Sequence, residues 1–214
     1  AADGTGKEEL LGSTPDLLNI WPLSWSGDGK MLVVMKWSAL SSGTTNFDIG
    51  ALPMEGDRKY RPLLQEKYSE YQPQISPNGR WMAYSSYESG KGEVYVRPFP
   101  EVDSGGRWQV STSGGDSPLW SPDGRELFYR NGEAVMAVSV KTDPTFSLET
   151  PGTLFRGTYA FITNYLHPWD ISPDGRRFLM MKESGQSGVE SAGPRRINIV
   201  LNWTEELKQR VPAK

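Results

Sequence analysis

Cysteine is absent from all 214 residues, and histidine occurs once, as His167. The first absence excludes disulfides but leaves the compartment open. The second excludes a His-rich zinc site, because catalytic zinc usually takes at least two His ligands or Cys. No apolar run approaches the roughly 18 residues that cross a bilayer as a helix, so membrane insertion is not expected. The chain also lacks a charged-then-apolar opening; Ala1-Ala2-Asp3-Gly4 reads as an interior or processed end. A formal net charge of −3 offers no concentrated positive surface for phosphates, so nucleic acid is not an expected partner.

What is present is turn chemistry. The 23 glycines and 16 prolines are spread along the chain, as many tight turns between short strands require. Trp25-Ser26-Gly27-Asp28-Gly29-Lys30 recurs as Ile75-Ser76-Pro77-Asn78-Gly79-Arg80, Trp120-Ser121-Pro122-Asp123-Gly124-Arg125 and Ile171-Ser172-Pro173-Asp174-Gly175-Arg176. The turn glycines stand 50, 45 and 51 residues apart, the period of propeller blades. Serine bonds the backbone ahead of it, proline presets φ, and glycine takes the position where φ is positive. Gly27 replaces the proline in the first copy, whose turn is therefore expected to be looser.

Apolar residues alternate after each turn: Leu32 and Val34, Met82 and Tyr84, Leu127 and Tyr129, Phe178 and Met180. Third strands are expected at Phe47–Leu52, Glu93–Arg97, Ala134–Val140 and Ile197–Trp203, and fourth strands near Tyr60–Leu64, Trp108–Ser111 and Gly152–Phe155. The reading is all-β: a single domain over 1–214 holding four four-stranded antiparallel blades, at about 18–65, 66–112, 113–156 and 157–204. Thr204–Arg210 reads as a short helical turn, and residues 8–12 as a strand that closes the ring.

These residues resemble the TolB-like, WD-repeat-like propeller family. A closer likeness is to propeller segments at the C-terminal end of bacterial serine/threonine kinases. It is carried by Glu93-Val94-Tyr95-Val96-Arg97-Pro98-Phe99-Pro100, Trp108-Gln109-Val110-Ser111 and Val200-Leu201-Asn202-Trp203-Thr204. The resemblance implies a periplasmic or otherwise extracytoplasmic position and a role in binding a protein, peptide or envelope component. No kinase motif occurs in the chain. Family propellers close with about six to eight blades. Four blades therefore imply part of a larger ring, or half of one completed by a homodimer.

Function is sought where the repeat varies. Eight residues before the turn glycines stand Trp21, Tyr71, Asp116 and His167, with Glu70, Gln72, Ser117, Trp169 and Asp170 beside them. Trp21, Tyr71, Gln72, Asp116, His167 and Trp169 are the candidate ligand contacts, weighed against an ordinary role as loop residues. Trp25 and Trp120 stand in the repeat's buried column and are expected in the core. A catalytic reading would use His167, Asp116, Glu70 and Asp170, with paired carboxylates as acid and base. No Gly-x-Ser-x-Gly elbow supports a serine triad; Gly185-Gln186-Ser187-Gly188 is a near miss within the Gly/Ser-rich loop Lys182–Pro194.

A mixed metal site would have to gather His167, Asp116 and Glu70 from separate blades. No metal or cofactor is expected; calcium is the one ion left open, without any EF-hand spacing. The leading expectation is a non-catalytic binding or scaffolding module completed by dimerisation. The alternative is a small hydrolase of an ester, phosphoester or glycoside, working at the central channel. A third reading is a fragment with no independent role.

Overall fold

The computed structural model describes residues 19–39, 45–160, 167–181 and 197–200. Sixteen strands in these residues form four antiparallel sheets, one per sequence repeat. The first blade holds β1 (Ile20–Trp25), β2 (Met31–Ala39), β3 (Thr45–Pro53) and β4 (Arg61–Leu64) in that order. The second holds β5 (Glu70–Ile75), β6 (Trp81–Ser86), β7 (Glu93–Pro98) and β8 (Trp108–Gln109). In the third, β9 (Asp116–Trp120) and β10 (Glu126–Asn131) precede β11 (Ala134–Lys141), which pairs with both β12 (Ser147–Leu148) and β13 (Gly152–Arg156). The fourth shows β14 (Trp169–Ile171), β15 (Phe178–Met181) and β16 (Ile197–Val200).

Among the described residues the sheets do not close into a ring: the architecture is a partial propeller. The short β12 is the strand that the repeat did not announce. The helical turn at 204–210, the closing strand at 8–12 and the loop 182–194 lie outside the described residues.

The repeated turn is a closed cage of hydrogen bonds. In each copy the glycine N–H donates to the serine carbonyl at 2.8–2.9 Å, with glycine φ at 69–70°. The serine hydroxyl donates to the Asp or Asn side chain, as in Ser121 to Asp123 at 2.7 Å. It also accepts the N–H five residues on, as from Glu126 at 2.9 Å. These bonds hold the Asp28, Asp123 and Asp174 carboxyls below their usual range, the serine bond contributing most. The first copy is no looser than the others: Gly29 has φ 69° and its N–H reaches Ser26 at 2.8 Å. The serine and aspartate close the turn, so proline is dispensable to it.

Alternation on each strand sends apolar side chains to both faces of a blade. Met82 and Tyr84 join Val33, Ile49 and Leu64 in a core between the first two blades. Leu127, Tyr129 and Trp120 meet Trp81, Ala83 and Val96 between the second and third. Phe178, Met180 and Trp169 pack on Phe128, Leu119 and Val135 between the third and fourth. The face bearing the turn motif thus always lies on the preceding blade.

Trp25 corrects the expectation of a buried column. It pairs with Leu32 on that same face, yet is 55% exposed, while Trp120 is 5% exposed. The described residues supply no blade ahead of the first one. At the opposite end Leu179, on the far face of the fourth blade, is 42% exposed. Trp120→Ala should therefore cost about 3–5 kcal/mol, as truncating a packed core aromatic does. Trp25→Ala should cost less than about 1 kcal/mol. Urea midpoints of the two variants check this; equal losses would mean that the outer face of the first blade is covered.

Candidate functional site

The end of the blades opposite the caged turns is built differently. At the starts of β5 and β9 the ladder slips, between Tyr71 and Gln74 and opposite Phe128 and Arg130. At these slips Gln72 and Ser117 adopt φ of 55° and 53°. Both are fully buried. The left-handed region costs a side-chained residue about 1–2 kcal/mol, so neighbouring contacts must hold it there.

Those contacts run between blades. Gln72 Oε1 accepts the Ser117 N–H at 2.7 Å and the Ser85 hydroxyl at 3.2 Å. The Ser117 carbonyl accepts Trp169 Nε1–H at 2.9 Å, and the Gln72 carbonyl faces His167 Nε2 at 3.3 Å. The equivalent residues of the first and fourth blades are Pro22 and Pro168, whose fixed negative φ forbids this conformation.

His167 and Gln72, both ligand candidates from sequence, are therefore brought together as a tie between the fourth and second blades. Burial lowers the His167 pKa to about 4. The ring is thus neutral near pH 7, with Nε2–H donating, while its buried Nδ1 has no hydrogen-bond partner. Trp169, expected on the ligand face, is instead core: 4% exposed and stacked on Phe178 at 5.5 Å. Asp170 is exposed and accepts the Ile171 N–H at 2.8 Å. Trp21 is half-buried, with its ring 6.2 Å from Phe47.

Tyr71 and Asp116 meet in a cleft of about 210 Å³ between the second and third blades, walled also by Tyr87, Lys91, Asn131 and four glycines. The Tyr71 and Tyr87 rings stack with centroids 5.5 Å apart. A Cβ on Gly92 would stand 2.9 Å from the Tyr71 hydroxyl, so only glycine fits there. Buried Glu93 fixes the floor: its carboxylate accepts from Ser111 Oγ and from the Gly114 N–H at 2.9 Å, and pairs with Lys91 Nζ at 3.1 Å. Burial raises the Asp116 pKa, opposed by the Ser117 hydroxyl bonded to it at 2.7 Å and by the Arg130 charge.

Glu70 lines a different cleft, of about 50 Å³, formed by the second blade and the segment leading into it, with Glu66, Tyr84, Glu88, Arg97 and Arg107. Burial above all pushes its pKa up to about 8, with the Glu66 and Asp48 charges adding. Glu70 and Asp116 are thus housed apart, and no group of three His, Asp or Glu among the described residues is placed to hold a metal. Sequence reasoning missed Glu93, Arg107 and Tyr87. Besides the column that holds Tyr71 and Asp116, the tandem Gly114-Gly115 just before Asp116 was an available signal for this cleft.

No protein-family model matches the chain, and no curated protein matches it either. Solved structures do. A protein assigned as TolB from Agrobacterium tumefaciens is 22% identical, with TM-score 0.51, over 76% of this chain and 57% of that one. TolB from Acinetobacter baumannii is 15% identical, with TM-score 0.54, over 90% of this chain and 45% of that one. A puromycin-hydrolyzing peptidase of Mycobacterium tuberculosis is 18% identical, with TM-score 0.55, over 73% of this chain and 27% of that one. The chain spans about half the length of the TolB structures it matches, and the likeness is one of fold. Because both TolB proteins and an enzyme share it, the fold does not by itself assign a role.

The two shifted groups give stability a pH dependence of known sign. Folded Glu70 keeps its proton up to about pH 8 while the unfolded chain loses it near 4.5, so this contribution falls as pH rises through that window. Unfolded His167 gains a proton near 6.5 but folded His167 only near 4, so the second contribution falls as pH drops through that range. Glu70→Gln should flatten the alkaline limb of a Tm-against-pH profile, and His167→Gln the acid limb. A wild-type alkaline limb unchanged in Glu70→Gln would show that Glu70 is ionised in the fold.

Proposed function

We propose that the chain is a ligand-binding segment of a larger β-propeller, non-catalytic, whose cleft between the second and third blades takes a small polar ligand or a peptide side chain. The carrying observation is the composition of that cleft. Stacked Tyr71 and Tyr87 offer an apolar wall, while Asp116, Lys91 and Asn131 offer a carboxylate, an ammonium and an amide within about 210 Å³. A few polar groups on an aromatic wall is the usual make-up of a small-molecule site. The sole histidine is a poor base with its pKa near 4, which weighs against His-dependent hydrolysis.

Hydrolysis of an ester, phosphoester or glycoside is the second reading. Glu70 favours it, since an acid titrating at about 8 still carries its proton near neutrality. The likeness in fold to a hydrolysing peptidase agrees with it. Against it stands the housing of Glu70 and Asp116 in separate clefts. An extracytoplasmic location and a place behind a kinase domain are narrower parts of the proposal. The likeness to TolB structures supports the first, and the Glu93–Pro100 segment the second. Completion of the ring by a second copy is likewise a proposal, supported by the exposed side chains Trp25 and Leu179 on the end blades.

Screening free amino acids, dipeptides and N-acetylglucosamine by thermal shift should give hits that Tyr87→Ala or Asp116→Asn weakens about tenfold, as loss of one stacking or charged contact does. Hits indifferent to both variants would place binding elsewhere. A hydrolase panel run with and without chelator should show no turnover; turnover lost in Glu70→Gln would favour the second reading. Light scattering at micromolar concentration should give the mass of a dimer, and a monodisperse monomer would sink the shared ring.

A further inference from the structure

The small cleft on the second blade holds a carboxyl group without a counter-charge of its own. Glu70 is 2% exposed; its carboxyl is approached by the Glu66 backbone N–H, its Oε1 accepts a long bond from Ser86 Oγ at 3.4 Å, and its buried Oε2 has no hydrogen-bond partner. The guanidiniums nearby are engaged with other carboxylates. Arg97 pairs with Glu66 at 3.4 Å and Asp103 at 3.3 Å, and its Nε donates to the Tyr84 hydroxyl at 3.1 Å. Arg107 pairs with Glu88 and lies over the Tyr95 ring at 5.0 Å. The two lining arginines are matched by Glu66 and Glu88, so an ionised Glu70 would be left without a counter-charge of its own.

A buried acceptor left unpaired is costly, and a lone carboxylate more so. Glu70 meets that cost by keeping its proton near neutrality. An arriving cation with N–H donors would satisfy both oxygens and draw the group into its ionised form. The cleft is small, about 50 Å³, which favours a compact –CH₂–NH₃⁺ end over a bulkier cation.

We propose that this cleft binds a primary ammonium group, anchored on Glu70 Oε2 with Glu66 and Glu88 at its rim. On binding, Glu70 releases its proton to the buffer and its carboxylate accepts N–H bonds from the ammonium, whose own charge is unchanged. The same chemistry is carried by a lysine side chain and by a free small amine. The site is separate from the cleft between the second and third blades, so the two readings stand or fall independently.

Amide resonances of Tyr84, Ser85 and Ser86 would be followed while methylammonium chloride is added at pH 7. Parallel titrations would use tetramethylammonium chloride and sodium chloride at matched ionic strength. Saturable shifts are expected with methylammonium alone. Calorimetry in two buffers of different ionisation enthalpy should show release of about one proton per ligand in the wild type. Glu70→Gln, which keeps the shape and neutrality of the protonated acid, should weaken binding about tenfold, the value of one charge-assisted bond.

An Nα-acetyl-lysine amide binding tighter than methylammonium would identify a protein side chain as the source; equal affinity would identify a free amine. Absence of saturable shifts, equal shifts with sodium chloride, or binding without proton release would each overturn the proposal. The proton count is read on unmodified protein, so the test survives a variant that fails to fold.

Discussion

A sheet with apolar side chains on both faces has no side it can turn to water, and everything in this structure follows from that constraint. In the second blade β6 sends Met82 and Tyr84 one way and Trp81 and Ala83 the other, and both sets are buried. Burying one such side chain contributes about 1.5–3 kcal/mol. A blade flanked on both sides buries both sets against its neighbours. On the end blades Trp25 and Leu179 are left exposed, although Leu32, Val34 and Leu52 beside Trp25 are buried in a cluster of their own. Apolar surface of that kind in a sheet protein asks for further cover.

The same stacking explains why the two ends of the blades differ in character. At the turn end the polar groups of the Ser-x-Asp-Gly motif find partners within the same hairpin, and two of the glycines lie near prolines of the preceding blade, Gly124 by Pro77 and Gly175 by Pro122. At the other end the polar partners are borrowed from neighbouring blades. Gln72 and Ser117 are twisted into positive φ so that their carbonyls turn sideways toward the fourth blade. Borrowed bonds leave remainders. Glu70 Oε2 and His167 Nδ1 both lie at this end, buried and without a partner.

The legible part of the fold was the part that repeats. Period-two alternation and the turn motif located the strands because every blade obeys the same local rules. Trp25 was misread because burial belongs to the neighbour, and a repeat pattern is silent on whether a neighbour is present. The looser first turn was misread because the closing force was credited to proline rather than to the Ser26–Asp28 pair. The column eight residues before each glycine did lead to Tyr71 and Asp116, which share one cleft. The roles of Gln72 and Trp169 were hidden, since a sequence gives no hint of which carbonyl leaves its ladder to bond across blades. Glu70 was visible as a carboxylate near the variable column, but its isolation depends on Arg97 and Arg107 being spent on Glu66, Asp103 and Glu88.

Where the candidate sites sit bears on how far function depends on completing the ring. A site in the axial channel would need every blade in place, because its walls come from all of them. The two clefts found here draw on few blades: one is walled by the second blade and the segment leading into it, the other by the second and third. Their geometry is fixed by inter-blade cores that are already complete, and by the Glu93 knot and the Arg97 and Arg107 ion pairs within the second blade. Recognition at these clefts is therefore compatible with any way of closing the ring, whether by further blades or by a second copy. Whatever covers Trp25 and Leu179 then serves stability, while the second blade, flanked on both sides, contributes to both clefts.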